Sequence, residues 1–289
     1  MFLPKRILEE KLRRFLEEDM GQGDITTQLT IPATTIIEAE VIVKKRGMMA
    51  GIEEALVLCE SLDLAATALT SDGSVVKPRK PILRIAGDAR TTLTAERTLL
   101  NLLSRMSGVA TATNHLVSKV KAAGYKTSVA CTRKVTLGLG YFDKKAVFIG
   151  GGDTHRLHLD DLVLIKDNHV KIAGGVGKTV RKARESASFS KKIEVEVASA
   201  EDALEAAKAG ADIIMLDNLS PADVKKTVAL LTKKEVRSMV LLEASGGITE
   251  ENILEYAAAG VDVVSIGEIT HSVKALDMSL EVVKVRKTR

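Results

Sequence analysis

The sequence has no tryptophan and only two cysteines, Cys59 and Cys131. They stand too far apart to form a metal-ligand pair and are too few for a disulfide framework. A reducing cytoplasm is therefore the expected compartment. No apolar run is long enough to cross a bilayer, which excludes a spanning helix, and no membrane partner is expected. Basic tracts and basic-aromatic alternation are also missing, and the net charge is only +4, so nucleic acid is not an expected partner. Glutamine occurs only at Gln22 and Gln28, leaving few thermolabile amides of that type. The opening MFLPKRILEEKLRRFLEED places Ile7, Leu8, Leu12, Phe15 and Leu16 at helical spacing. It reads as an amphipathic helix and not as a signal peptide.

What is present is apolar content of 45%, enough over this length for one large domain and a smaller one. The first third mixes element types. Residues 5–19 and 52–62 read as helices, 36–45 and 82–88 as strands, and GQGDITT at 21–27 as a loop. From Leu93 to about Ala123 the pattern is helical, with a break expected near Ser107-Gly108. After Gly124 the rhythm changes. Short apolar runs at 127–131, 162–165, 192–197, 212–216, 239–243 and 261–266 alternate with helical stretches. Ser220-Pro221 and Thr249 signal helix starts, and Gly210 and Gly260 signal helix ends. Runs apolar on both faces between helices predict a parallel sheet, as an α/β barrel or as an open doubly wound sheet.

In an α/β barrel the chemistry sits at the carboxyl ends of the strands. Six strand ends here carry Arg133 and Lys134, Lys166, Glu194 and Glu196, Asp217, Glu243 with Ser245-Gly246-Gly247, and Gly267. Any one of these could simply cap a strand, but together they make a coherent mixture. The glycine turns at 246–247 and 267 suit a phosphate held on backbone N–H groups. Arg133, Lys134, Arg156 and Lys166 suit an anion with several negative groups, because a guanidinium binds carboxylate in a fork. GGVGKT at 174–179 is a poor phosphate loop, since Ile172 stands where its first glycine should be. His155, His158, Asp153 and Asp160 match no strong zinc spacing. Cys131 reads as a small buried strand residue. Lys166 could form a Schiff base, as in barrel aldolases, but that leaves the phosphate turns unused.

TRK at 132–134, GGG…HR at 150–156, LIKDNH at 164–169, EVEV at 194–197, MLDN at 215–218, EASGGI at 243–248 and SIGEIT at 265–270 occur in order along the chain. With AERTLLNLLSRMSGVAT at 95–111 they resemble the quinolinate phosphoribosyltransferase (carboxylating nicotinate-nucleotide pyrophosphorylase) family over nearly the full length. The resemblance implies an N-terminal α/β sandwich over 1–108 and an incomplete TIM-like α/β barrel over 109–271. It also implies a C-terminal helix at 272–289 that packs back on the first domain, in a homodimer or a hexamer built as a trimer of dimers. It implies transfer of phosphoribose from phosphoribosyl pyrophosphate to quinolinate, giving nicotinate mononucleotide, pyrophosphate and carbon dioxide in NAD biosynthesis. Carried over by motif, Arg97 would reach in from a neighbouring subunit, and Arg133, His155 and Arg156 would hold the two carboxylates with Lys134 beside them. Lys166 would serve the pyrophosphate. Glu196 and Asp217 would face the ribose hydroxyls and a substrate-borne Mg²⁺, with no metal held directly by the protein. Ser245, Gly246, Gly247 and Gly267 would bind the 5-phosphate.

Family members usually read TRKTTPGLR, whereas this chain has TRKVTLGLG, and His158 stands where glycine is common. Val135, Leu137, Gly140 and His158 therefore bear on substrate choice. Nicotinate phosphoribosyltransferase shares this chemistry but has one substrate carboxylate and needs fewer cations. A molybdenum-linked paralogue lacks the KDNH found at 166–169. A non-catalytic phosphate-ligand binder is the remaining reading, and no DNA-binding or signalling module is appended here to support it.

Overall fold

The computed structural model describes residues 3–287. The first part of the chain forms α1 (Lys5–Met20), α2 (Ile25–Thr30), β1 (Thr35–Val43), β2 (Gly47–Met48), α3 (Ile52–Glu60), β3 (Ala65–Ala68), β4 (Val75–Val76), β5 (Pro81–Asp88) and the long α4 (Ala89–Ala122). Next come β6 (Ser128–Cys131), α5 (Gly140–Ile149), β7 (Val163–Ile165), α6 (Asp167–Ala173), α7 (Val176–Ser186), β8 (Ile193–Val197), α8 (Ala200–Ala209) and β9 (Ile213–Asp217). The last part holds α9 (Pro221–Lys233), a 3₁₀ turn at Arg237–Met239, β10 (Leu241–Ser245), α10 (Ile253–Ala258), β11 (Val263–Ile266), α11 (Glu268–His271) and β12 (Met278–Lys287). The chain divides into two compact units. One holds the described residues up to Ala112, Phe148–Gly150 and the described residues from Val273. The other holds Thr113–Val147 and Gly151–Ser272.

The first unit carries an antiparallel sheet in the order β12-β1-β5-β3. On β1 the alternate residues Ile37, Ala39, Val41 and Val43 are buried, as period-2 side chains on a one-sided sheet must be. Its other face carries cross-strand ion pairs, with Glu40 accepting from Arg84 at 2.7 Å and Glu38 from Arg286 at 2.9 Å. Helix α1 buries Leu8, Leu12 and Leu16 of its predicted stripe at i, i+4 and i+8, while Phe15 is half-buried and Ile7 is exposed.

The second unit is a six-stranded parallel sheet in the order β6-β11-β10-β9-β8-β7, with helices between successive strands. The six apolar runs read from the sequence are its six strands. Ser199 and Ser220 cap α8 and α9, each hydroxyl accepting the N–H of the residue three positions on. Gly210 closes α8 in the left-handed conformation that spares glycine a Cβ clash. Parallel pairing directs all six carboxyl ends to the same edge.

Four expectations are corrected. Thr249 does not start a helix: α10 begins at Ile253 after a turn, with Asn252 at its N-cap. Helix α4 runs through Ser107-Gly108 without a break. Gly108 is needed there for close approach, since a Cβ would lie 2.4 Å from the Lys274 carbonyl oxygen and 3.1 Å from Ala275 Cα. The adjacent Ser107 hydroxyl bonds the main chain at Ala50. GQGDITT is loop only as far as Asp24, whose carboxylate caps α2 by accepting the Thr27 N–H at 2.9 Å. The helix expected over 272–289 is instead an irregular stretch followed by the strand β12, paired with β1 from Val43↔Met278 to Thr35↔Lys287; residues 288–289 lie outside the described residues. β-branched Val282, Val283 and Val285 favour a strand. The register shifts between Glu38 and Ala39, which leaves Val283 as the extra residue of a bulge and absorbs the doubled valine.

Gly108→Ala is expected to cost about 1–3 kcal/mol through overpacking against backbone. Thermal unfolding would read this as a lower midpoint. An unchanged midpoint would mean that the 274–275 backbone moves aside freely.

Candidate active site

The register of the parallel sheet decides which side chains share a face. Glu196, Met215 and Glu243 lie on one rung, and Asp217, Ser245 and Ser265 on the next towards the carboxyl edge. Alternation then brings Leu164, Lys166 and Glu194 to the same side. This face and the loops at the strand ends enclose a cavity of about 500 Å³.

Ten of the twelve residues expected at the site line that cavity: Arg133, Lys134, His155, Arg156, Lys166, Glu196, Asp217, Ser245, Gly246 and Gly247. Gly267 does not line it, but packs beneath one side chain that does: a Cβ on Gly267 would lie 3.1 Å from Lys134 Cδ. Arg97, on α4 of the first unit, is not among the lining residues. Thr132, Leu164, Met215, Asn218, Glu243 and Ser265 complete the wall. The altered positions Val135, Leu137, Gly140 and His158 stay outside it. Gly140 has ordinary room for a side chain, with Val135 Cγ2 at 3.5 Å from a Cβ.

Arg156 has its proton affinity lowered by burial and by the neighbouring Arg133, and Glu194, Glu196 and Asp161 oppose that shift. Lys166 Nζ donates to Glu196 Oε1 at 2.5 Å. The glycine turn is made by φ of 93° at Gly246 and 61° at Gly247. A Cβ on Gly246 would meet Asn218 Oδ1 at 2.2 Å and Asn218 N at 2.9 Å, so only glycine lets the ends of β9 and β10 close up here. Asn218 Nδ2 in turn donates to Asp217 Oδ2 at 2.8 Å, and Asn252 Nδ2 to the Gly247 carbonyl at 2.9 Å.

Below Arg156 lies a group that sequence reasoning did not assemble. His155 Nε2 sits 3.4 Å from Glu194 Oε2 and 3.3 Å from Glu243 Oε2, and both acids are buried. Burial lowers the ring's affinity for a proton, but hydrogen bonding to Glu194 and Glu243 and their charge outweigh it and raise His155 to about 10. For Glu194, burial raises the carboxyl, His155 opposes the rise and Glu243 adds to it. Both shifts express one fact: the cluster keeps a proton that an isolated histidine and two glutamates would have lost at neutral pH. Lys144, buried on α5, was also missed. Its Nζ donates to the carbonyls of Thr154 and Arg156, on either side of His155. The clue available was the spacing of Glu194 and Glu196, two acids on one face of an otherwise apolar strand.

The folded chain binds a proton that the unfolded chain releases above the ordinary histidine value of 6.5. This contribution to stability is therefore full below 6.5 and is lost as pH rises towards about 10. The thermal midpoint is expected to fall over that window, and to fall less steeply when Glu194→Gln and Glu243→Gln are combined. Identical slopes for the two proteins would remove the cluster as the cause.

The family model "Quinolinate phosphoribosyl transferase, N-terminal domain" matches residues 24–107, and the corresponding C-terminal domain model matches residues 109–281. The "Probable nicotinate-nucleotide pyrophosphorylase (carboxylating)" of Methanocaldococcus jannaschii is 46% identical over 94% of this chain and 96% of its own length. The nicotinate-nucleotide pyrophosphorylase (carboxylating) of Mycobacterium leprae is 40% identical over 94% of this chain and 96% of its own. A solved nicotinate-nucleotide pyrophosphorylase structure from Francisella tularensis superposes with a TM-score of 0.88 at 39% identity, covering 97% of this chain and 98% of that one. With both domain models matched and relatives aligned along nearly the whole length, this chain belongs to the quinolinate phosphoribosyltransferase family.

Proposed function

We propose that this chain is a pentosyltransferase that moves phosphoribose from phosphoribosyl pyrophosphate to quinolinate, releasing pyrophosphate and carbon dioxide and leaving nicotinate mononucleotide. The observation that carries this reading is the shared cavity, which pairs Arg133 and Arg156 with the Gly246-Gly247 turn. A diacid needs the first feature and a sugar phosphate the second.

Arg133 and Arg156, with Lys134 beside them, hold the carboxylates of quinolinate and aim its ring nitrogen at the anomeric carbon. Ser245, Gly246 and Gly247 take the 5-phosphate on main-chain N–H groups and the serine hydroxyl, with Gly267 leaving room for the Lys134 side chain. Lys166 donates to the departing pyrophosphate. Glu196 and Asp217 orient the ribose hydroxyls and stabilise positive charge on the sugar as its bond to pyrophosphate lengthens. The ring nitrogen forms the new bond, so no protein nucleophile is required. N-ribosylation makes the ring cationic. It then takes the electron pair left when the 2-carboxylate departs as carbon dioxide, and that carbon picks up a proton.

Mg²⁺ fits this site as a substrate-borne ion. Glu196 and Asp217 offer hard oxygen donors at the wall, but Glu196 is already paired with Lys166, too sparse a set for an all-protein cage. Bound to the pyrophosphate, the ion would neutralise charge on the leaving group. A homodimer, or a hexamer of three dimers, with Arg97 supplied by a neighbouring copy, is supported by exposed Ile25, Leu29, Val282, Val283 and Val285 on the first unit. A cytoplasmic setting is supported by two free, buried cysteines. Among the described residues no helix is long and apolar enough to cross a membrane.

Supplied with phosphoribosyl pyrophosphate, Mg²⁺ and quinolinate, the protein is expected to release carbon dioxide and mononucleotide in equal amounts. Turnover of nicotinate but not quinolinate would overturn the diacid reading. Arg133→Ala removes a charge-assisted bond worth about 1.5–3 kcal/mol, so quinolinate affinity should fall about 10–150-fold with little change for phosphoribosyl pyrophosphate. Equal losses for the two ligands, measured by calorimetric titration, would contradict the role given to Arg133.

A further inference from the structure

Asn218 lines the cavity together with Asp217 and the Gly246-Gly247 turn, although neither transfer of phosphoribose nor loss of carbon dioxide calls for a carboxamide there. Consecutive residues of a strand face opposite sides of a sheet. Asp217 ends β9 and Asn218 follows it, so both line one cavity because the chain turns between them. Asn218 makes that turn in the left-handed region, with φ of 55°, which asparagine tolerates better than most residues that carry a side chain.

Three features fix the residue in this place. Its main-chain N–H donates to the Ser245 carbonyl at 2.8 Å, one step past the Asp217↔Ser245 pair of β9 and β10. Its Oδ1 fills the space under Gly246 that a Cβ would need. Its Nδ2 donates to Asp217 Oδ2 at 2.8 Å. The carboxamide has one orientation here, because a carboxylate only accepts and the amide nitrogen must be the atom that faces it. This bond takes up Oδ2 of Asp217 and leaves Oδ1 to meet a ligand. Beyond the turn, Asn252 Nδ2 holds the Gly247 carbonyl at 2.9 Å. With the carbonyls of Ser245 and Gly247 both engaged as acceptors, the main-chain N–H groups of the turn are left for an anion.

We infer that Asn218 is a positioning residue that ties the Asp217 carboxylate to the glycine turn, and so fixes the spacing between the group that orients the ribose hydroxyls and the group that takes the 5-phosphate. The inference rests on the proposed function, which supplies those two roles. In that reading a sugar phosphate spans both contacts and the diacid meets neither, so Asn218 bears on one substrate alone.

Two variants of the full-length protein separate the side chain from the backbone it sits on. Asn218→Asp keeps the left-handed backbone, the main-chain bond to Ser245 and the bulk beside Gly246, but it cannot donate to Asp217 and sets a like charge against it. Asn218→Gly keeps the backbone and removes the side chain. Asn218 is exposed, so neither change opens the core. With Mg²⁺ present and the other substrate saturating, the KM for phosphoribosyl pyrophosphate should rise about tenfold or more in both variants, as for a lost hydrogen bond to a charged group. The KM for quinolinate should stay within about threefold. An equal rise for both substrates, or a rise below about threefold for phosphoribosyl pyrophosphate, would overturn the inference.

Asp217→Ala decides whether the effect passes through that carboxylate. Measured as affinity for phosphoribosyl pyrophosphate with Mg²⁺ by calorimetric titration, Asn218→Gly should cost about tenfold when Asp217 is present and less than about twofold when it is alanine. The same loss in both backgrounds would make Asn218 an independent contact and remove the positioning role. If the unmodified chain binds no phosphoribosyl pyrophosphate, the proposed function falls, and the tie is read without ligand. Exchange of the Asn218 side-chain amide protons with solvent should then quicken in Asp217→Ala, and an unchanged rate would overturn the tie.

Discussion

Parallel hydrogen bonding among six strands is the constraint from which the site follows. Because β6 to β11 all run the same way, their carboxyl ends crowd one edge, and loops far apart in sequence open over one cavity. Register adds the second requirement. Residues two apart on one strand face the same side, so Glu194 and Glu196, Met215 and Asp217, and Glu243 and Ser245 form stacked layers. A one-residue slip in any strand would turn its polar set into the apolar core and empty the cavity wall.

The layers differ in their exposure to water, and this separates their chemistry. The upper layer holds Asp217, Ser245 and the Gly246-Gly247 turn, where oxygens and backbone N–H groups are open to a ligand. Beneath it, on successive rungs, lie Glu243 and Glu194, both buried, with the single imidazole of His155 between them. Together they raise the hold of His155 on a proton, and the same ring accepts the Arg156 main-chain N–H.

The glycines show how tight this construction is. Gly246 exists because Asn218 occupies the space of a side chain, and Gly108 because the 274–275 backbone crosses α4 there. Gly108 is fixed by space alone, whereas Gly246 is fixed by space and by its positive φ, at a point that borders the cavity.

Strand positions in the parallel sheet, the helices between them, the caps at Ser220 and Gly210 and ten of the lining residues were legible in the sequence, because each leaves a local signal of period, cap or strand end. The C-terminal strand and the unbroken α4 were not, since β12 is decided by its partner β1 and Gly108 by a contact with Lys274, far along the chain. Residue types alone named Arg133, Arg156, Lys166 and the Gly246-Gly247 turn as an anion site. They could not join His155 to Glu194, Glu243 and Lys144, because those four come from different elements and their proximity exists only once the sheet has closed into its register. Hydrophobic period is a property of neighbours in the chain, whereas a hydrogen-bond partner, and with it the place of a proton, is a property of neighbours in space.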